Sequence, residues 1–410
     1  MTTVLEVPVD TGLDIPTLTT LPAEVEALRQ TVRTWARERL APAVQRLDAA
    51  DAADFDWDLV QEGHDLGLTR LVVPKQFGGL GHGEFGVAVV LEELAAVDAG
   101  MALVFGATML GQAPVLLSGD PRLQARFLPL FCGDEAVLAC NAITEDKAGC
   151  DLLIPENAEY AQDVMQARRE GDHYVLNGAK KFITNGKVAK YGTVFANIEG
   201  HDGASMLTCF VVLLDSPGIT RGAVADKMGY RTCLGTELSF VDVEVPVENV
   251  AGGEGGGVYV NIAQMNMARA AVAAIAAGVA RGALEQAVAF AGERIQGGKL
   301  LKDHQFTARK LAEMAAKVEA SRMLYLRAAY LADTQIPAPV YETATAKLFA
   351  DQIAIEVCTE AMSVMGARGY LRDHGMEKRL REALGSRIYE GTAEVLALAI
   401  TESLYETDDF

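Results

Sequence analysis

His173-Tyr174-Val175-Leu176, Lys181-Phe182-Ile183-Thr184, Cys209-Phe210-Val211-Val212-Leu213 and Leu238-Ser239-Phe240-Val241-Asp242-Val243 decide the fold class. These runs are short, β-branched and aromatic, and Gly, Asn and Pro punctuate them, which is the pattern of strands. On either side the texture is helical. Pro22-Ala23-Glu24-Val25-Glu26-Ala27-Leu28 opens a helix-period stretch through Trp35 and Leu40, expected to stop at Pro42. Helical patterns recur to about residue 130, broken by Val73-Pro74-Lys75-Gln76-Phe77-Gly78-Gly79-Leu80-Gly81. Beyond residue 257 come an Ala-rich helix from Ile262 to Arg294, a second from Gln305 to Asp333 and a third from Val340 to Val364. The order predicts an α+β protein: a tail over 1–20, an N-terminal helical domain over 21–135, a middle β-barrel or sandwich domain over 136–254, and a C-terminal four-helix bundle over 255–410. The Ala-rich helix is apolar almost all round, so it is expected to be buried on several sides, within a large core or by neighbouring subunits.

Composition narrows the function. Half of the 410 residues are apolar, enough for a large core and two or three domains. A net charge of −20 repels phosphate backbones and anionic lipid, so no nucleic-acid or membrane partner is expected. Cys132, Cys140, Cys150, Cys209, Cys233 and Cys358 show no metal-finger spacing and read as reduced thiols of a cytoplasmic protein. The six histidines form no paired metal motif, and no metal is expected. The first residues carry no basic and apolar leader pattern, and the apolar run from Ala270 to Ala280 is too short to span a bilayer.

Chemistry concentrates near the end, in Arg387-Ile388-Tyr389-Glu390-Gly391-Thr392-Ala393-Glu394. A carboxylate between a Tyr and a Gly-Thr, leading into apolar Val395-Leu396-Ala397-Leu398, is partly desolvated, so its pKa is expected to rise toward neutrality. That is what a general base needs at physiological pH. The plainer reading of the string is a helix start with Thr392 as its cap. Gly252-Gly253-Glu254-Gly255-Gly256-Gly257 lacks the Lys-Ser/Thr ending of a phosphate loop and reads as a connection.

A series of further segments resembles the acyl-CoA dehydrogenase family over about residues 22–404. These are Phe77-Gly78-Gly79-Leu80-Gly81, Ala142-Ile143-Thr144-Glu145 with Ala148-Gly149-Cys150-Asp151, and Asn177-Gly178 with Lys180, Phe182-Ile183-Thr184-Asn185-Gly186. Lys227-Met228-Gly229 with Arg231, Val245-Pro246 with Glu248-Asn249, Glu293-Arg294, His304-Gln305, Gly366 with Gly369-Tyr370, and Glu390-Gly391-Thr392 follow in the family's order. The resemblance implies FAD as cofactor and an acyl thioester as substrate. A base takes the α-proton from one face while the flavin takes a β-hydride from the other. In related enzymes a flavin hydroxyl and the backbone N–H at the position of Glu390 polarise the thioester carbonyl. Glu390 would be the base. Some relatives carry it just before the position of Arg269, where this chain has Ala268. By the same resemblance Thr144 and Thr184 would bond the flavin ring and Phe182 would pack on it. Arg294 and Gln305 would meet the diphosphate and adenosine of an adjacent subunit's FAD, Gly366 and Gly369 would let backbone approach it, and Thr392 and Glu394 would lie beside it. Cys150, Asn266, Arg269, Tyr389 and Gly391 would serve the substrate, Arg269 near the carrier's nucleotide and Cys150 touching the cofactor as well. Each has a plainer reading: Thr184-Asn185-Gly186 as a hairpin turn, Arg294 as a helix-end cation, Arg269 as a surface residue, Tyr389 as packing.

Departures from the family pattern cluster where ligands bind. Asp146 replaces a Pro, Cys150 a Ser, Gly297 a Phe, Ala367 a Gly and Asn266 an Asp that meets the adenine of CoA, and the loop from Leu152 to Gly171 is long. A phosphopantetheine arm on an acyl-carrier protein needs no adenine pocket, so a carrier-protein thioester or an unusual CoA ester stands beside a short or medium acyl-CoA. The expected electron acceptor is an electron-transfer flavoprotein, with an oxidase of the same fold as the rival, and the expected assembly is a homotetramer or dimer. A scaffold that kept the fold and lost turnover is the reading from another class, opposed by the presence of Glu390, Thr144 and Thr184.

Overall fold

The computed structural model describes residues 21–149, 152 and 155–406; Cys150 and the 1–20 tail lie outside the described residues. The chain begins with α1 (Ala23–Trp35), α2 (Val44–Ala49), α3 (Trp57–Asp65), α4 (Glu84–Ala95), α5 (Ala99–Leu117) and α6 (Pro121–Phe127). Strands follow: β1 (Ala139–Ala142), β2 (Gln166–Glu170), β3 (His173–Thr184), β4 (Tyr191–Ile198), β5 (Leu207–Leu213), β6 (Ile219–Val224), β7 (Gly235–Pro246) and β8 (Val250–Ala251). The last part carries α7 (Gly257–Glu293), a small ribbon of β9 (Ile295–Gln296) and β10 (Lys299–Leu300), α8 (Gln305–Thr334), α9 (Val340–Met365), α10 (Ala367–Tyr370), α11 (Met376–Ser386) and α12 (Ala393–Glu406). The helical, β, helical order of an α+β protein is the one expected.

Pro42 does not stop the first helix. The helix loosens into a wide turn over Ala36–Leu40, tightens over Ala41–Ala43 and resumes as α2. The proline stands in the first turn of the tight segment, where its missing N–H costs nothing.

Among the described residues eight strands form one sheet in the order β6-β7-β3-β2-β4-β5-β8, with β1 added parallel to β4. The sheet curls around its own core, which alternate residues of β4 and β5 (Val194, Ala196, Ile198; Phe210, Val212) share with Leu176, Leu238, Phe240 and Val243. The opposite faces of those strands, through Tyr191, Phe195, Cys209 and Val211, pack on Val115, Phe127 and Phe131 of the N-terminal helical part. The two runs expected as separate strands in 173–184 are one long strand, β3, bulged on β7 between Leu176 and Gly178 and again between Lys180 and Ile183. The segment Thr184-Asn185-Gly186 turns the chain tightly but makes no hairpin, because β2 pairs between β3 and β4.

The two helical parts share one hydrophobic core, drawn from α1, α4, α5, α7, α8, α9 and α11. Helix α7 runs through its centre. A Cβ at Gly278 would stand 2.5 Å from the carbonyl of Glu92, and one at Gly282 2.2 Å from that of Ala96, so these glycines let α7 lie directly on α4. Buried Arg281 then pairs with Glu92 and Glu93 of α4, both at 2.8 Å, and Tyr325 of α8 donates to Glu92. Helices α5 and α7 are long and apolar enough to cross a bilayer, although the longest apolar run in the sequence is short. Their most apolar stretches are 67% and 83% buried inside the protein, which is where core helices belong.

Candidate active site

Between α4, α5 and α7 lies a cavity of about 150 Å³. Its walls are mostly aliphatic, including Val87, Leu91, Leu103, Met109, Met267 and Ile275, and three carboxyl groups interrupt them: Glu84, Asp333 and Glu390. Ala268 also faces the cavity, so a methyl group stands where some relatives place a base.

Glu390 reaches the cavity from the turn between α11 and α12. Its φ is +53° and that of Gly391 is +92°, so two successive residues are left-handed. For the glutamate this costs about 1–2 kcal/mol, and such strain persists only where the surroundings over-determine it. Lys347 supplies the restraint. Fully buried on α9, its ammonium donates to Asp351 (2.8 Å), to the carbonyl of Ser386 (3.1 Å) and to that of Gly391 (3.2 Å), and it lies 5.7 Å from the centre of the Tyr389 ring. The Tyr389 ring meets Tyr230 edge-on at 5.7 Å, and the two hydroxyls lie 3.4 Å apart. Just beyond the turn, Thr392 Oγ1 accepts from Val395 N at 3.4 Å and caps α12.

The electrostatics follow from burial. Glu390 Oε2 is enclosed and has no hydrogen-bond partner among the described residues. Desolvation pushes the carboxyl up to about 7, against the pull of Lys347 and Arg269. Glu84, the first residue of α4, also has a buried, unpartnered Oε2. Desolvation, then the nearby charges of Asp333 and Glu390, push it up to about 8. Asp333, near the end of α8, accepts from the Glu84 N–H (2.6 Å) and the Phe85 N–H (3.0 Å), capping α4 from a distant element. Burial still holds its pKa above the ordinary aspartate value.

A second grouping lies on the sheet. The carbonyl of Thr144 accepts from Lys181 N at 2.8 Å, which sets Thr144 against β3 beside Phe182 and Thr184. Under this segment buried Lys180 donates to Glu145, whose carboxylate also accepts from Met165 N at 3.0 Å. The bulge between Lys180 and Ile183 throws Phe182 outward, with φ +58° and 73% exposure. At the end of β3, Asn185 is fully buried at φ +63° and donates to Val104 O (2.8 Å) and Ala139 O (3.2 Å), tying the strand to α5 and β1.

Other expected site residues fall elsewhere. Arg269, expected beside the carrier's nucleotide, is 5% exposed; it donates to Asn266 at 2.9 Å, and its charge acts on Glu390. Burial lowers the Arg269 pKa. Asn266 is buried too and is occupied by that bond. Arg294, Gln305, Gly366 and Glu394 lie on the surface, well apart in sequence, while Gly369 is buried. A Cβ at Gly369 would stand 2.8 Å from Met362 O. Lys347, Asp333 and Glu84 escaped the sequence reading. The only signal for Lys347 is an i,i+4 pair with Asp351 inside an apolar helix, and Glu84 reads as an ordinary first-turn acid.

A desolvated carboxyl whose pKa is raised toward neutrality inside an apolar cavity suits a general base. The acyl-CoA dehydrogenase N-terminal domain matches residues 22–135, the middle domain 140–243 and the C-terminal domain 255–405. The chain is 36% identical to a cyclohex-1-ene-1-carbonyl-CoA dehydrogenase of Geobacter metallireducens over 91% of its own length and 96% of that protein's. The solved butyryl-CoA dehydrogenase of Megasphaera elsdenii is 33% identical and superposes with a TM-score of 0.86, over 94% of this chain and 99% of that one. The prolyl acyl carrier protein oxidase AnaB is 28% identical, with a TM-score of 0.84, over 93% of this chain and 99% of that one. The chain belongs to the acyl-CoA dehydrogenase family, FAD-dependent oxidoreductases that act on CH–CH groups.

Proposed function

We propose that the chain dehydrogenates a short or medium acyl thioester between its α and β carbons, with Glu390 as the base that takes the α-proton. The observation that carries this reading is the Glu390 carboxyl, with one buried and unpartnered oxygen at a largely apolar cavity and a pKa pushed up to about 7. Above that pH the carboxylate is ionised, denied water by the aliphatic walls, and free to accept a proton from a substrate carbon. Lys347 and the left-handed turn hold it in place, while Ala268 leaves no second base on α7.

The residues on the sheet fit FAD. An exposed aromatic ring at Phe182, with Thr184 two residues further on and the Thr144 backbone bonded to the neighbouring Lys181, suits a flat ring with polar edges. FAD, when bound, supplies the acceptor for the β-hydride. Arg294, Gln305, Gly366, Gly369, Thr392 and Glu394 would hold its remainder in an assembly of two or four copies, the guanidinium of Arg294 suiting the diphosphate. Tyr389 and Gly391 flank the base and would border the thioester. An electron-transfer flavoprotein is the acceptor that suits a dehydrogenase of this family.

Asn266 favours a second reading of the acyl carrier. It is buried, its Oδ1 is taken by Arg269, and it lacks the carboxylate that an Asp would offer to the amino group of an adenine. Recognition would then rest on the pantetheine arm, and a carrier-protein thioester would serve as well as a CoA ester. Comparing acyl-CoA with the matching acyl-pantetheine tests this, and a large loss of kcat/KM without the nucleotide would favour CoA.

The test of the main reading is anaerobic addition of acyl-CoA esters of increasing length to the purified yellow protein. Bleaching of the flavin band is expected. Glu390→Gln should keep the flavin and lose the bleaching; undiminished bleaching in that variant would sink the assignment of the base.

A further inference from the structure

Glu84 has no task in the chemistry described above, yet it faces the same cavity as the base. Among the described residues four titratable side chains line that cavity: His82, Glu84, Asp333 and Glu390. No described Lys or Arg lines it, so an acyl group ending in a carboxylate would meet three carboxyl groups and no compensating cation. An unsubstituted alkyl chain fares little better at this end, because it would leave the buried Glu84 Oε2 without a partner. Burial and the neighbouring charges keep Glu84 in its acid form at neutral pH. A carboxylic acid offers one O–H donor and an acceptor oxygen, both of which a hydroxyl group can use.

We propose that Glu84 is a specificity-determining residue, which with Asp333 receives a hydroxyl group carried on the acyl chain. A hydroxyl answers both neighbours: its oxygen accepts from Glu84, and its hydrogen is donated to an Asp333 oxygen. The backbone fixes this pair, since Asp333 is locked by the Glu84 and Phe85 N–H groups at 2.6 and 3.0 Å. Gly83 allows that lock, because a Cβ there would stand 2.3 Å from Asp333 Oδ1. A site built to bond a substrate hydroxyl rejects the analogue without it more strongly than an apolar pocket rejects an extra methylene.

The inference rests on the dehydrogenase reading, and the experiment separates the two. The holoprotein is reduced anaerobically with hexanoyl-CoA and with its terminal-hydroxy and subterminal-hydroxy derivatives, and kcat/KM is compared. The expected result is a preference of at least about tenfold for one hydroxylated ester. In Glu84→Leu the preference should invert, with hexanoyl-CoA gaining. Glu84→Gln, which retains a donor and an acceptor, should keep part of it and guards against misfolding of the Leu variant. Equal kcat/KM for all three esters in the wild type, or a preference that survives in both variants, overturns the hydroxyl site and leaves the base assignment standing. Loss of reduction by every ester in well-folded, FAD-loaded Glu84→Gln also overturns it, because Glu84 would then act in the reaction itself. If no ester bleaches the wild-type flavin, the dehydrogenase reading fails first.

Discussion

Lys347→Met separates what holds the base from what charges it. The lysine is fully buried and binds Asp351, which is buried as well, along with two carbonyls on either side of Glu390. Removing one partner of a buried ion pair strands the other, at about 3–5 kcal/mol. With about 2.1 cal/mol/K of unfolding entropy per residue, a chain of 410 residues should lose about 4–6 °C in Tm. The ammonium is also the foremost charge lowering the Glu390 pKa. Without it the base should titrate above about 7, so the acid limb of the anaerobic bleaching rate should move to higher pH. The double variant Lys347→Met/Asp351→Asn removes the stranded charge and should recover more than half of the lost Tm. Its acid limb should stay displaced, since the cation is still missing. Melts with FAD in fixed excess and stopped-flow bleaching from pH 6 to pH 9 read the two quantities separately. An acid limb unmoved in the single variant, or restored together with Tm in the double one, would refute the electrostatic role of Lys347.

For the wild type, kcat/KM should rise with pH through an apparent pKa near 7, because the base must be ionised to work. Burial raises the folded-state value from 4.5 to about 7, so protonation stabilises the fold fully below pH 4.5 and that contribution is lost as pH rises through 7. Glu390→Gln should therefore exceed the wild type in stability by a margin that grows with pH toward about 3 kcal/mol, and a margin independent of pH would count against a buried, titrating carboxyl. Gly83→Ala should drive Asp333 off the start of α4 and cost about 1–3 kcal/mol in denaturant melts. A neutral result there would mean that Asp333 is not the cap.

The segments legible in the sequence are those whose meaning is local. The β texture of residues 173–243 and the long helices after residue 257 follow from side-chain periodicity, which a strand or helix imposes on its own residues. The turn at Glu390 was legible for a similar reason, since Tyr389, Gly391 and Thr392 define its setting within a few positions. Bulges were not. Nothing in Lys180-Lys181-Phe182-Ile183 announces that the pairing with β7 slips there and turns Phe182 outward, because register depends on both strands. The inward turn of Arg269 escaped for a related reason: a basic residue on a helix is ordinarily solvated, and only the fold decides which face of α7 is enclosed.

The cavity is the extreme case of this limit, and it explains why Glu390 was easier to single out in the sequence than its surroundings. Glu84, Lys347 and Asp333 stand on three helices that meet only after the two helical parts have formed one core around α7. Read locally, Glu84 complements a helix dipole, Asp333 ends a helix and Lys347 pairs with Asp351. Brought together, the same groups become a cap donated across the core, an acid denied water and a cation beneath a strained turn. The relation among them is electrostatic. Burial first, then the charges of Asp333 and Glu390, push Glu84 up to about 8, while Lys347 and Arg269 oppose the burial that pushes Glu390 up to about 7. One cavity thus holds two carboxyl groups raised by burial, and on the reading proposed above Glu390 serves the chemistry while Glu84 serves recognition.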